Sequence, residues 1–128
     1  MGDPFGIQKT LRGPVPRLPY ADIKTLALGP AYELSLVICG DHLARSLNKK
    51  YREKTYAANV LSFPLGKMEG EIFLNLRAAE REAHKYGVPL RARLALLFVH
   101  GLFHLKGFAH GAAMERSEQQ VLKRLHLD

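Results

Sequence analysis

Among the 128 residues there is one cysteine, Cys39, and there is no tryptophan. A lone cysteine excludes an internal disulfide and suits a reducing compartment. It ends an apolar, strand-like run just before Gly40, the setting of a buried structural thiol rather than a nucleophile. Long apolar runs are also missing: the longest covers the six residues 94–99, against the roughly 20 that a membrane-spanning helix needs. Asp3 and Pro4 interrupt the start where a secretory signal would place its apolar stretch, and Gly6 stands where a myristoylation signal takes Ser or Thr. These absences lead to the expectation of a soluble, unanchored, cytoplasmic protein with no membrane partner.

Acidic residues are the scarcer charge. Twelve Asp and Glu against 19 Lys and Arg leave a formal charge of +7, which points to a polyanionic partner. With 47% hydrophobic and 24% charged residues, the composition is that of a folded globule and excludes a disordered or collagen-like chain. No repeat or linker divides it, and the length suits a single domain over residues 1–128. Residues 1–30 are expected to form an N-terminal arm and a short helix.

Hydrophobic spacing orders the rest. The proline-bearing stretch 11–19 reads as extended and leads into a helix over 19–29 that Gly29 stops. Residues 33–38 alternate, with Leu34, Leu36 and Ile38 on one face, which predicts a strand covered on one side. Asp41 is placed to cap a helix to about residue 54 whose inner face carries Leu43, Leu47 and Tyr51. Residues 59–63, closed by Pro64, and 71–76 predict an antiparallel pair of strands. Helices are expected over 76–86, with Leu76, Ala79, Ala83 and Tyr86 inward, over 90–106, and over 113–126, with Met114, Val121, Leu122 and Leu125 inward. Strands mixed with helices without regular alternation predict an α+β fold, a small mixed sheet packed with helices.

The segment HGLFHLKGFAH, residues 100–110, carries the chemistry. His100 and His104 lie four apart, on one face of a helix, where two imidazoles can reach one cation. Gly107 can take the left-handed turn that brings His110 back as a third donor. This is the spacing of the elongated zinc motif of metzincin proteases. Three imidazoles leave a fourth position for water, whose pKa the ion lowers to about 7. One Zn2+ is the expected cofactor, although nickel or copper would also suit nitrogen donors. His42, His84 and His126 show no such pattern and are read as core or surface residues. Where zinc peptidases place their glutamate base, this chain has Gly101. A peptidase would therefore need a base recruited from elsewhere. A non-catalytic RNA- or ribosome-binding module with a structural metal also remains open.

HGLFHLKGFAH resembles the H-G-x-L-H-L-x-G-x-D-H signature of the YbeY family of bacterial rRNA maturation factors and metal-dependent endoribonucleases. Residues 47–64, LNKKYREKTYAANVLSFP, are similar to that family's L-N-x-x-Y-R and V-L-S-F-P segment. Gly70, Glu71 and Ile72 stand at its G-D-I, and Met114 and Glu118 match an M…E pattern in the last helix. The resemblance implies a zincin-like metallohydrolase with a central metal-binding helix, in which His100, His104 and His110 hold the metal. It makes Arg52 a catalytic arginine facing the metal, with Lys49, Lys50 and Lys54 as an RNA-binding rim and Ser62, Phe63 and Glu71 lining the cleft. A guanidinium suits that role because its planar fork pairs with phosphate oxygens. The implied substrate is single-stranded RNA, in 16S rRNA 3′-end maturation and ribosome quality control, and the implied partners are small-subunit ribosomal proteins. Ala109 departs from the pattern, which has Asp there, so a carboxylate able to orient a ligand is missing from that position. Oligomeric state leaves no mark in the sequence.

Overall fold

The computed structural model describes residues 5–107 and 111–128. In chain order these form β1 (Phe5–Lys9), α1 (Tyr20–Leu28), β2 (Glu33–Cys39), α2 (Asp41–Arg52), β3 (Val60–Gly66), β4 (Glu69–Asn75), α3 (Leu76–Tyr86), α4 (Leu90–Leu105) and α5 (Ala112–Arg124). The strands make one mixed sheet in the order β1-β2-β4-β3, with β1 and β4 parallel to β2 and β3 antiparallel to β4. The α+β expectation therefore holds.

The two central strands are the most apolar, and their inward residues form the main core. Leu34, Leu36, Ile38, Ile72 and Leu74 meet Ile23 and Ala27 of α1, Leu94, Phe98 and Leu102 of α4, and Met114 and Leu122 of α5. Tyr20 packs edge-to-face on Phe98 at 5.5 Å, a favourable geometry for two ring quadrupoles. Burial pushes the Tyr20 phenol up to about 12, and its hydroxyl donates to the Pro16 carbonyl at 3.2 Å.

The sheet is covered on its other side as well. Val37, Cys39 and Ala44 form a second, smaller core with Leu43, Ala57 and Phe73 packed against it. The expectation of a strand covered on one side is thus corrected. The far half of β2 is buried on both faces because Leu43 and Ala44 of α2 pack with Val37 and Cys39.

Four local expectations also change. A first strand, β1, lies within the segment expected to be an arm; it is a five-residue edge strand with only Phe5 half-buried. Asp41 is the first residue of α2 rather than its cap; Gly40 takes the cap position, and the carboxylate turns to Arg81 and Asn75 instead. The buried face of α2 is Ala44 and Asn48, whereas Tyr51 is exposed. Tyr86, expected inward on α3, is also exposed and carries the Arg93 guanidinium over its ring. Tyr51 instead meets Phe63 edge-to-face, with ring centroids 5.3 Å apart.

Two glycines permit close approach. A Cβ on Gly70 would lie 2.5 Å from the Tyr32 hydroxyl, and one on Gly101 would lie 3.0 Å from Val60 Cγ2 and 3.1 Å from Ser62 Oγ. The second contact sets how tightly α4 sits on the sheet.

Candidate metal and RNA cleft

The helix α4 is apolar on nearly every side. Leu94, Ala95, Phe98, Val99 and Leu102 are buried, as are Leu97, Gly101 and Phe103. This burial fixes the helix rigidly and leaves His100 and His104 at a half-buried opening. A cleft of about 570 Å³ lies there, and its lining includes Arg52 and Asn48 of α2, Ser62 of β3, His100 and His104 of α4, and Glu118 of α5.

The two imidazoles converge. His104 Nε2 and His100 Nε2 are 3.0 Å apart, with ring centroids 4.6 Å apart and planes at 81°. Nitrogens this close can share one ion at the usual zinc–imidazole distance of about 2.0–2.1 Å. On its other side, His100 Nδ1 lies 2.6 Å from Glu118 Oε1. With Nδ1 occupied by the carboxylate, Nε2 is the ring nitrogen left facing the cleft and available to an ion. The donor set and its orientation fit a divalent metal with affinity for nitrogen.

Among the described residues, no third group is placed to complete a metal site with these two. The expected third donor, His110, lies with Ala109 and Phe108 outside the described residues. Gly107 adopts φ 98° after α4 ends, as the turn reading requires.

Arg52, at the end of α2, lines the same cleft as the histidines and is exposed. Lys49, Lys50 and Lys54 are also exposed but lie outside the lining, with Lys50 Nζ 5.2 Å from the Tyr51 ring. They belong to the outer surface beside the cleft. Ser62 does line the cleft, and its hydroxyl donates to the Gly101 carbonyl at 2.9 Å. Phe63 and Glu71 do not line it; Phe63 packs between Tyr51 and Phe73 on the opposite face of the sheet. Alternation along β3 makes this unavoidable, since Ser62 and Phe63 must point to opposite sides. His42, His84 and His126 are all exposed.

Several cleft residues escape a reading of the motifs alone. Asn48 is buried and donates to the Tyr56 carbonyl at 2.9 Å, which holds the loop that follows Arg52. Glu82 accepts from Arg93 Nε at 2.8 Å and from Asn59 Nδ2 at 3.1 Å, bracing β3 against α3 and α4. Glu118 was already part of the M…E pattern, and its place on the apolar stripe of Met114, Val121 and Leu122, unusual for a carboxylate, was a second legible signal.

A mixed four-stranded sheet, a buried helix offering two convergent imidazoles, and an arginine on the same cleft define the class: a small α+β protein with a histidine-floored cleft. Residues 17–126 match the family model described as "Endoribonuclease YbeY", and the chain belongs to the YbeY family. A relative of that name from Aromatoleum aromaticum is 40% identical over 94 residues, which cover 71% of this chain and 61% of that protein. One from Methylocella silvestris is 40% identical over 107 residues, covering 75% of this chain and 61% of its own length. The match to the Pelotomaculum thermopropionicum relative, at 34% identity, covers 94% of this chain and 90% of that protein. The chain thus spans about three fifths of the first two relatives and most of the third. The solution structure of TM1509 from Thermotoga maritima shares the fold, with a TM-score of 0.69 at 17% identity over 94% of this chain and 88% of the other. No described helix is long and apolar enough to cross a membrane.

Proposed function

We propose that this chain is a zinc-dependent endoribonuclease of the zincin-like type that cuts single-stranded RNA in rRNA maturation, including the 16S rRNA 3′ end, and in ribosome quality control. The observation that carries the reading is the convergence of His100 Nε2 and His104 Nε2 at 3.0 Å in a cleft that Arg52 also lines. The name shared by its relatives, Endoribonuclease YbeY, supports RNA as the substrate.

His100, His104 and His110 would hold the ion. When bound, zinc supplies a Lewis acid for a phosphoryl oxygen and an acidified water. The chain's own residues do the rest. Glu118 holds the proton on His100 Nδ1, the buried helix α4 keeps both rings in place, and Arg52 offers a bidentate fork to the phosphate as negative charge builds on it. Lys49, Lys50 and Lys54 raise the local positive potential outside the cleft and draw the RNA backbone toward it. Small-subunit ribosomal proteins and a cytoplasmic setting complete the proposal.

Gly101 weighs against a peptidase. A Cβ there would already crowd Val60, Ser62 and Ile72 of the sheet, so the position has no room for the glutamate base.

RNA cleavage by metal-defined protein tests the proposal. Zinc-loaded wild type is expected to cut unstructured RNA, and His100→Ala and Arg52→Ala to lose at least about 100-fold in rate, in line with removing a stabiliser of transition-state charge. Undiminished cleavage by both variants would overturn it. Product ends identify the nucleophile: a 2′,3′-cyclic phosphate requires the ribose hydroxyl, and a 5′-phosphate with a 3′-hydroxyl requires water.

A further inference from the structure

Glu118 is one of only two charged side chains buried among the described residues, the other being Lys24. It sits on the core-facing stripe of α5, one turn from Met114 and one from Leu122, which are 1% and 3% exposed. Taking a carboxylate out of water is costly unless a partner repays it. It lies against His100, 18 residues earlier in the chain, with Oε1 2.6 Å from Nδ1. The side chain of Glu118 is only 7% exposed, so this contact is shielded from solvent.

We infer that Glu118 is a positioning residue for the metal site: from α5 it fixes the tautomer and ring orientation of His100, so that Nε2 is presented to the ion. This inference rests on the metal reading given above. The geometry separates the two nitrogens of one ring, with Nδ1 on the carboxylate and Nε2 toward His104. A carboxylate behind a ligating imidazole raises its basicity and removes the cost of orienting it on binding. It also gives α5 a role beyond packing. The hydrophobic seat made by Met114, Val121 and Leu122 places one carboxylate oxygen against α4, so the docking of the last helix and the readiness of His100 are coupled. In this chain the carboxylate comes from a separate helix, while position 109, beside the last histidine of the motif, is alanine.

Zinc affinity, measured by competition with a chromophoric chelator on full-length protein, tests this without recourse to activity. Glu118→Ala is expected to weaken zinc binding about 10- to 100-fold. Glu118→Gln keeps an oxygen that accepts from Nδ1 and should recover part of that loss, remaining several-fold weaker than wild type. Glu115→Ala, an exposed position on the same helix, should bind zinc as wild type does. Melting of the metal-free proteins separates folding from binding, since a purely packing role would shift the melting temperature and leave the affinity alone. The absorption bands of the Co2+ forms give a second signature, expected to change in Glu118→Ala and to return toward wild type in Glu118→Gln. Wild-type zinc affinity in a folded Glu118→Ala protein overturns the inference while leaving the metal reading intact. Where Glu118→Ala does not fold, Glu118→Gln decides: weaker binding supports the inference and unchanged binding overturns it. A wild type that holds no zinc overturns the metal reading and this inference with it.

Discussion

Arg81 grips both oxygens of Asp41, with Nη1 2.7 Å from Oδ2 and Nη2 2.8 Å from Oδ1. The pair joins the start of α2 to the middle of α3, and Arg81 also lines the cleft. Asn75 adds a third bond to the same carboxylate at 3.0 Å.

That arrangement predicts a pH signature. The Arg81 hydrogen bonds hold the Asp41 carboxyl at about 2, against an ordinary 3.8. A depressed folded value contributes stability that is complete above the unfolded value and is lost as pH falls through the folded one. The contribution is therefore present at neutral pH and disappears between about pH 4 and pH 2. Because the Asp41 and Arg81 side chains are 32% and 59% exposed, solvent screening reduces it to about 1 kcal/mol. Asp41→Asn should be less stable than wild type by that amount at pH 7, with the two denaturation curves converging near pH 2. Parallel curves at all pH values would sink the idea.

Asn75 is fully buried and serves several partners. Its Oδ1 accepts from the Arg77 and Ala78 amides, capping α3, while Nδ2 donates to Asp41 and to the Ala58 carbonyl. Asn75→Ala removes the cap and strands a carbonyl, a loss of about 2–3 kcal/mol by denaturant titration. Asn75→Asp keeps the cap but loses the donor and faces Asp41 with a like charge, so it should recover little of that stability.

Close packing at Gly101 predicts a graded series. Gly101→Ala gains helix propensity of about 1 kcal/mol and pushes a methyl to within 3.0 Å of Val60 and 3.1 Å of the Ser62 hydroxyl that bonds the Gly101 carbonyl. Overpacking of this kind costs about 1–3 kcal/mol, so a net loss of about 1 kcal/mol is expected in thermal melts. Gly101→Glu should fail to fold and should show no peptidase activity. A folded, stable Gly101→Glu protein would contradict the packing described here.

Cys39 is fully buried, and burial with the nearby Asp41 carboxylate pushes its thiol up to about 11. Little thiolate exists near neutral pH, so a disulfide reagent at pH 8 should label the native protein only at the rate of unfolding and label it at once in denaturant. Rapid native labelling would contradict the buried second core.

Salt dependence separates cleft contacts from general charge. If Arg52 meets a phosphate, Arg52→Ala should lower the slope of log affinity against log salt for single-stranded RNA by about 0.7–1. Lys123→Ala, on the exposed side of α5, should leave the slope unchanged.

Local signals determined much of this protein. The 3.6-residue spacing and the punctuation by Gly29, Gly87 and Pro89 place α1, α3 and α4 almost residue for residue, because helix formation and termination depend on neighbours along the chain. His100 and His104 were legible for the same reason, since four residues on a helix is a fixed displacement in space. Tertiary structure decided the remainder. It paired β1 with β2, buried the second face of β2 under α2, turned Asp41 from a cap into the partner of Arg81, and showed that Ser62 and Phe63 serve opposite sides of the sheet. Above all, it brought Glu118 to His100 across 18 residues. Such contacts depend on how helices stack over a twisted sheet. Spacing along the sequence places the histidines on one face of α4 but cannot say which carboxylate comes to lie behind them.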